Sequence, residues 1–355
     1  MRVPAPLHRT LHRTRRRLVP LALLAVVTAA CAADTADTAD TAADAGTAGT
    51  VTVYTGRHYG AEAVFDAFTA ETGIEVRFTT GSDPELRERL LAEGENSPAD
   101  VFMTADAANI ALAADAGLLA PLDSPVLVEA IPAELRAGDG TWFSLSRRLR
   151  VIAYSPERVA EPPTTYAALG DPEWADRLCL RPGSKTYTQS LVAALIRTEG
   201  RAAAEDIVAG WVANDPIYIN SDTDMLRAIA AGDCDVAIVN TYYLARLLEN
   251  EDPEFPAALA WPEQDGAGAH VNVSAAAVTA AAPNPEGAQQ LLEWLATAGQ
   301  ERFSAANLEY PAAAGAAQAS VLDGFGTFVA DDASVRELGD FNADAVDLFA
   351  EVGYE

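Results

Sequence analysis

The chain has 355 residues, half of them hydrophobic, with 24 basic side chains against 52 acidic ones and a formal net charge of −28. That length is about twice the ~150-residue prior for one domain, so two folded domains with full cores are expected. A surface this acidic repels phosphate backbones, which excludes nucleic-acid binding as the working function.

The first 30 residues read as a signal peptide. Six arginines and no acids lie ahead of Cys31, which leaves 18 basic against 52 acidic residues after it. Residues 2–17 are basic. Residues 18–30 are mostly apolar, broken by Pro20, and shorter than the ~20 residues a spanning helix needs. Small residues before Cys31 resemble a bacterial lipobox, with Thr28 where Leu is commoner; secretion with an unlipidated Cys31 is the other reading. The pair Arg15-Arg16 leaves export by the Sec or the twin-arginine route open. Residues 31–50 carry a threefold Asp-Thr-Ala repeat and no bulky side chain before Val51. Such a stretch buries too little apolar area to order itself and serves as a tether. The expected place of work is extracytoplasmic: the outer face of the cell membrane, held by a lipid anchor only, or the periplasm. That setting lets Cys179 and Cys234 oxidise.

From Val51 the pattern alternates between strand and helix. A strand at Val51–Tyr54 precedes a helix over 60–72, a strand over 74–78, and a helix from Pro84 to Glu93 capped by Asp83. A strand over 100–104 leads into a helix over 109–116 that Asp106 caps. Trp142–Leu145 and Leu149–Tyr154 are extended runs suited to crossing between domains. Then come a strand at 178–180, helices over 187–197 and 201–213, a strand at 217–219, a helix over 222–231, a strand over 235–239 and a helix over 242–249. His270 to Val278 reads as a strand returning to the first domain, with His270 and Asn272 structural. Helices over 287–298 and 344–352 follow. Strands alternating with helices imply parallel sheets with right-handed crossovers. The expected fold class is α/β: two α/β domains joined by extended hinge strands, with a cleft between. Lobe 1 spans 51–150, lobe 2 spans 151–269, and 270–355 holds the return strand and C-terminal helices.

In open α/β sheets, ligands sit beyond the carboxyl ends of strands. Three such ends collect Arg57, His58 and Tyr59, then Tyr187, then Tyr242 and Tyr243. Four of the ten tyrosines thus fall at three strand-to-helix junctions, together with one of the two histidines after the signal peptide. Single tyrosines are ordinarily core aromatics, yet adjacent Tyr242 and Tyr243 cannot both face one core from one helix. Phenolate is a hard anionic donor that releases its proton, of ordinary pKa ~10, only to a strongly acidic cation. Calcium and magnesium prefer carboxylates and carbonyls; zinc and copper favour His and Cys. Ferric iron fits phenolates best. Four phenolates on a trivalent ion leave one surplus negative charge, which Arg57 is placed to balance, or it holds a small anion.

At these residues the sequence resembles the ferric-iron-binding substrate-binding proteins of bacterial iron ABC transporters. The resemblance runs from Val51 to Glu355 and implies the two-lobed periplasmic-binding-protein architecture. It rests on Val53–Tyr59, Ala99–Asn109, Tyr187–Ala193, Val239–Arg246 and Asn307–Pro311; the tandem tyrosine after Asn240-Thr241 is the most specific mark. It implies His58, Tyr59, Tyr187, Tyr242 and Tyr243 as metal ligands, with Fe3+ as cargo. A synergistic anion such as carbonate and delivery to an ABC permease by a monomer are also implied. Ala105 stands where some branches carry a glutamate, which implies the tyrosine-rich branch. Cys179 and Cys234 each precede a ligand junction by eight positions; on equivalent levels of neighbouring strands they can form a disulfide, and otherwise they are buried thiols.

The alternative is a binding protein of the same fold for a polyamine, thiamine or an oxyanion, which gives no reason for four tyrosines at strand ends. An enzyme is not expected. The chain has no Gly-x-Ser-x-Gly, His-Glu-x-x-His or Cys-x-x-Cys, and two histidines after the signal peptide supply little acid–base machinery.

Overall fold

The short β-branched runs form ten strands of one mixed sheet among the described residues. These are β1 (Thr50–Thr55), β2 (Glu75–Thr80), β3 (Val101–Thr104), β4 (Phe143–Tyr154), β5 (Leu178–Leu180), β6 (Ile217–Tyr218), β7 (Val236–Asn240), β8 (Ala258–Ala260), β9 (Val271–Val278) and β10 (Tyr310–Pro311). The structure, a computed structural model, describes residues 49–56, 62–331 and 336–355, all within the unit Gly46–Glu355. The signal segment, Cys31, the tether up to residue 48, and Arg57, His58 and Tyr59 lie outside the described residues.

Across the sheet the order is β2-β1-β3-β9-β4-β7-β5-β6, with β8 and β10 both paired to β4. β1 runs parallel to β2 and β3, and β5 parallel to β6 and β7. Helices make the crossovers that parallel pairing requires: Glu62–Thr72 and Asp83–Glu93 on one half, Thr186–Glu199, Arg201–Ala213 and Asp222–Ala231 on the other. The cap before Asp83–Glu93 is Ser82, not Asp83. The Ser82 hydroxyl accepts from the Glu85 backbone while the Glu85 carboxylate accepts from the Ser82 N–H, so both exposed donors are met within one turn. Asp83 is thereby released to accept from the Ala105 N–H at 2.8 Å.

Two antiparallel strands join the halves. The extended runs around Trp142 and Leu149 are one strand, β4, which changes partner midway. Phe143–Leu149 pairs with β9, with a register shift across Leu145, and Arg150–Tyr154 pairs with β7. A bulge of this kind bends the strand locally. β9 is buried at all eight positions, because β3 and β4 flank it and both faces are covered; the alternation Val271-Asn272-Val273-Ser274 therefore marks no solvent face.

Strand alternation divides the apolar residues between two cores. Ile152, Leu178, Leu180, Val236 and Ile238 face one cluster with Leu191, Val208 and Trp211, which the C-terminal helix Asn342–Val352 closes with Leu348 and Phe349. Val151, Ala153, Cys179, Ala237 and Val239 face the other cluster, which continues through β9 to Val53, Phe68 and Phe102.

Cys179 on β5 is bonded to Cys234. The two do not occupy equivalent strand levels, because the register partner of Cys179 on β7 is Ala237. Gly232, at φ 86°, ends the helix Asp222–Ala231 in a left-handed turn, and Cys234 lies in the segment between that turn and β7. The bond closes a span of 55 residues, for which chain entropy predicts about 4 kcal/mol. The double variant Cys179→Ala, Cys234→Ala should lose about that much in urea unfolding; equal midpoints for the two proteins would show that the bond does not contribute.

His270 is the last residue before β9, and its imidazole is buried with neither ring nitrogen bonded to a protein group. It borders a cavity of about 150 Å³ also lined by Thr198, Glu199, Glu263 and Asp331. Burial, then the nearby guanidiniums of Arg150, Arg197 and Arg148, push its pKa down to about 3. The unfolded chain takes up this proton near the ordinary value of 6.5, so the depressed group contributes stability above that pH. Stability falls by about 1.4 kcal/mol per pH unit between 6.5 and 3 as the unfolded state binds the proton first. In urea titrations from pH 8 to 4, His270→Leu should run parallel to the parent above pH ~6.5 and lose this slope below it.

Candidate metal centre

β5 and β7 are parallel neighbours, so their carboxyl ends and the helices that follow lie at one edge of the sheet. Tyr187 is the second residue of the helix Thr186–Glu199. Tyr242 and Tyr243 are the second and third residues of Thr241–Asn250, which starts directly where β7 stops at Asn240. Helix N-termini carry partial positive charge, which favours ionised phenols.

All three phenols lie within electrostatic reach of one guanidinium, that of Arg181. The rings of Tyr242 and Tyr243 lie 4.2 Å apart between centroids at 33°, and the two side chains share a hydrogen bond. Tyr242 is 3% exposed, whereas Tyr243 and Tyr187 are half-buried. The Arg181 guanidinium lies 5.9 Å from the Tyr187 ring and interacts electrostatically with Tyr243, Tyr187 and Tyr242. Arg148 sits 4.9 Å from the Tyr187 ring and Arg246 4.9 Å from the Tyr242 ring. Burial raises the Tyr243 pKa, with the Asp222 carboxylate and Tyr187 adding to it, against the Tyr242 hydrogen bond and Arg181. Burial alone would lower Arg181, but Asp222 and the three phenols hold it above its ordinary value.

Asp222 fixes this arrangement. It is fully buried at the start of Asp222–Ala231, where Ser221 provides the cap. Its Oδ2 accepts from Arg150 Nη1 at 2.6 Å and from the Asn240 N–H at 2.8 Å, and its Oδ1 accepts from Arg181 Nη1 at 3.1 Å. One carboxylate thus ties β4, the segment that leads to Tyr187 and the strand end that leads to Tyr242.

A crevice of about 210 Å³ opens beside Tyr187. Asp83, Ala105 and Asp106 line it from the first half of the sheet, and Arg181, Lys185 and Tyr187 from the second; Gly56, the residue before Arg57, also reaches it. Asp106 caps the helix Ala107–Asp115, and Asn272 is structural on β9, where its amide oxygen accepts from the Ala107 N–H. Among the described residues no group of three or more His, Cys, Asp or Glu side chains could hold a metal ion. Sequence reasoning brings Tyr187, Tyr242 and Tyr243 to one edge but misses Arg148, Arg181 and Asp222. The available signal was the run Arg147-Arg148-Leu149-Arg150 inside an otherwise apolar strand, since buried guanidiniums require buried anions or rings.

Residues 54–302 match the family described as bacterial extracellular solute-binding protein. The chain belongs to that family. It is 39% identical over 316 residues to Iron uptake protein A1 of Synechocystis sp., covering 86% of this chain and 87% of the relative. It is 31% identical over 270 residues to the Major ferric iron-binding protein of Neisseria meningitidis, covering 74% and 80%. Among solved structures it resembles the Trichodesmium protein in complex with iron and citrate ligands, at TM-score 0.81 and 41% identity, covering 86% of this chain and all of that one. The α/β fold is the two-lobed architecture of these solute-binding proteins.

Truncating the central node tests its weight. Asp222→Asn leaves Arg150 and Arg181 without a buried counter-charge and should cost about 3–5 kcal/mol in urea unfolding. A loss below about 1 kcal/mol, the range of exposed pairs, would remove Asp222 from this role.

Proposed function

We propose that this protein captures ferric iron at the strand edge and delivers it to an ABC permease. Tyr187, Tyr242 and Tyr243 bind it together with His58 and Tyr59. The observation that carries this reading is the meeting of three phenols around Arg181. Hard oxygen donors that ionise only for a strongly acidic cation match a trivalent metal and no common divalent one. The neighbouring cations favour the phenolate form. The named functions of the relatives from Synechocystis and Neisseria support the choice of cargo.

The citrate in the Trichodesmium complex supports an accessory anion, for which Arg57, Arg181 and Lys185 supply charge. In this reading residues 51–150 and the return from 270 form one lobe and residues 151–269 the other. They close on the metal by bending at β4 and β9. Cys31 carries the lipid anchor and residues 31–50 the tether, so a monomer works at the outer face of the membrane.

The test is colour and metal content. Phenolate-to-iron charge transfer should give the purified, ferric-loaded protein an orange to red absorption band with one iron per chain. Tyr242→Phe with Tyr243→Phe should remove the band and weaken iron binding by more than about a hundredfold, beyond the usual cost of losing an outer partner. Circular dichroism should remain that of the parent. A double variant that keeps both colour and affinity would overturn the ligand assignment.

A further inference from the structure

The Asp106 carboxylate is used twice. Its Oδ1 performs the cap of Ala107–Asp115, accepting from the Asn109 N–H at 3.1 Å and the Asn109 side-chain amide at 3.2 Å. Its Oδ2 is not needed for capping. It accepts from the Ser190 hydroxyl at 2.5 Å and from the Asn272 side-chain amide at 2.7 Å. Asp106, Ser190 and Asn272 are 1%, 0% and 2% exposed. Asp106 follows β3 in the first half of the sheet, Asn272 lies on the crossing strand β9, and Ser190 lies on the helix that carries Tyr187. One buried carboxylate therefore joins three elements at the floor of the crevice that Asp106 and Tyr187 both line.

We infer that Asp106 is a positioning residue for Tyr187, acting through Ser190; this rests on the ferric-iron reading. Ser190 stands three positions after Tyr187, less than one helical turn, so the two lie on adjoining parts of one helix face. Holding Ser190 against the first half of the sheet holds the turn that presents the Tyr187 phenol. Hydrogen bonds to an ionised acceptor are the strong ones, and burial strengthens them further. Asn272 cannot swing away to release the carboxylate, because its own amide oxygen accepts from the Ala107 N–H at 3.0 Å and the Val273 N–H at 2.8 Å. The link does not touch the metal. It sets how long the helix bearing Tyr187 stays seated against the first half of the sheet, and therefore how slowly the cargo escapes.

Ser190→Ala removes the hydroxyl and leaves the cap untouched, and Asp106→Asn turns Oδ2 into a donor facing two donors. Both variants are loaded with ferric iron, and release to excess EDTA is followed by the charge-transfer band. Iron release from Ser190→Ala should be about tenfold faster than from the parent, the scale of one hydrogen bond to a buried charge. Release from Asp106→Asn should be faster still. The band position and the association rate should stay as in the parent, because the ligands are unchanged. The rise in melting temperature on iron loading should shrink in both variants. Parent-like release from both variants, with only the iron-free melting temperature lowered, would overturn the inference and leave Asp106 a cap. A parent protein that takes up no ferric iron and stays colourless would overturn the underlying reading and this inference with it.

Discussion

The buried charge cluster around Asp222 is the constraint on which the tyrosine edge depends. Taking a carboxylate and two guanidiniums out of water costs several kcal/mol per ion, and only close geometry offsets that. Here Arg150 approaches to 2.6 Å and Arg181 to 3.1 Å, while the Asn240 N–H occupies a further lone pair. The cluster carries one more positive than negative charge. The surplus points outward through Arg181, toward Tyr187, Tyr242 and Tyr243. The sequence of charges from core to crevice is thus carboxylate, guanidinium, phenol. Each layer favours the ionised form of the next.

β4 supplies the mechanical counterpart. Residues two apart on a strand share a face, so Arg148 and Arg150 point the same way. Arg148 reaches the Tyr187 ring and Arg150 reaches Asp222. The partner exchange from β9 to β7 falls between Leu149 and Arg150, so it lies between these two arginines. A bend at this point moves Arg148 with one half of the sheet and Arg150 with the other. In the proposed reading the site straddles the place where the two lobes bend, which is where a binding protein that must release its cargo benefits from having it.

The site residues most legible in the sequence were those whose positions follow from chain periodicity. Tyr187, Tyr242 and Tyr243 each open a helix that follows a short apolar run, so strand-end logic places them at one edge. Their partners were illegible because the contacts are distant in sequence. Arg150 lies 72 positions from Asp222, and no local pattern signals that pairing. The sequence offers Asp83 as the cap as readily as Ser82 because two cap-type residues stand in tandem, and the capping box with Glu85 decides for Ser82. Asp106 was readable as a cap, but the use of its second oxygen depends on Ser190, 84 residues away. β9 reads as a strand from the sequence, but its Val271-Asn272-Val273-Ser274 alternation marks no solvent face, since all eight positions are buried.

The distribution of charge carries a last consequence. The chain as a whole is strongly acidic, yet arginines concentrate where Tyr187 and Tyr242 lie: Arg148 and Arg181 flank the first ring and Arg246 the second. A negative exterior attracts cations of any valence, diffusely and without selection. Guanidiniums close to the rings oppose that attraction at the tyrosines, although Asp83 and Asp106 line the crevice beside Tyr187. A trivalent ion that ionises each phenol it meets brings its own compensation, because every phenolate formed is also a new partner for Arg181 and its neighbours. In the proposed reading the arginines act as a filter. They raise the cost of occupancy for weakly acidic cations and lower the cost of deprotonation for a strongly acidic one. An all-carboxylate edge on the same scaffold would reverse that preference, since carboxylates are ionised already and would hold calcium or magnesium as readily.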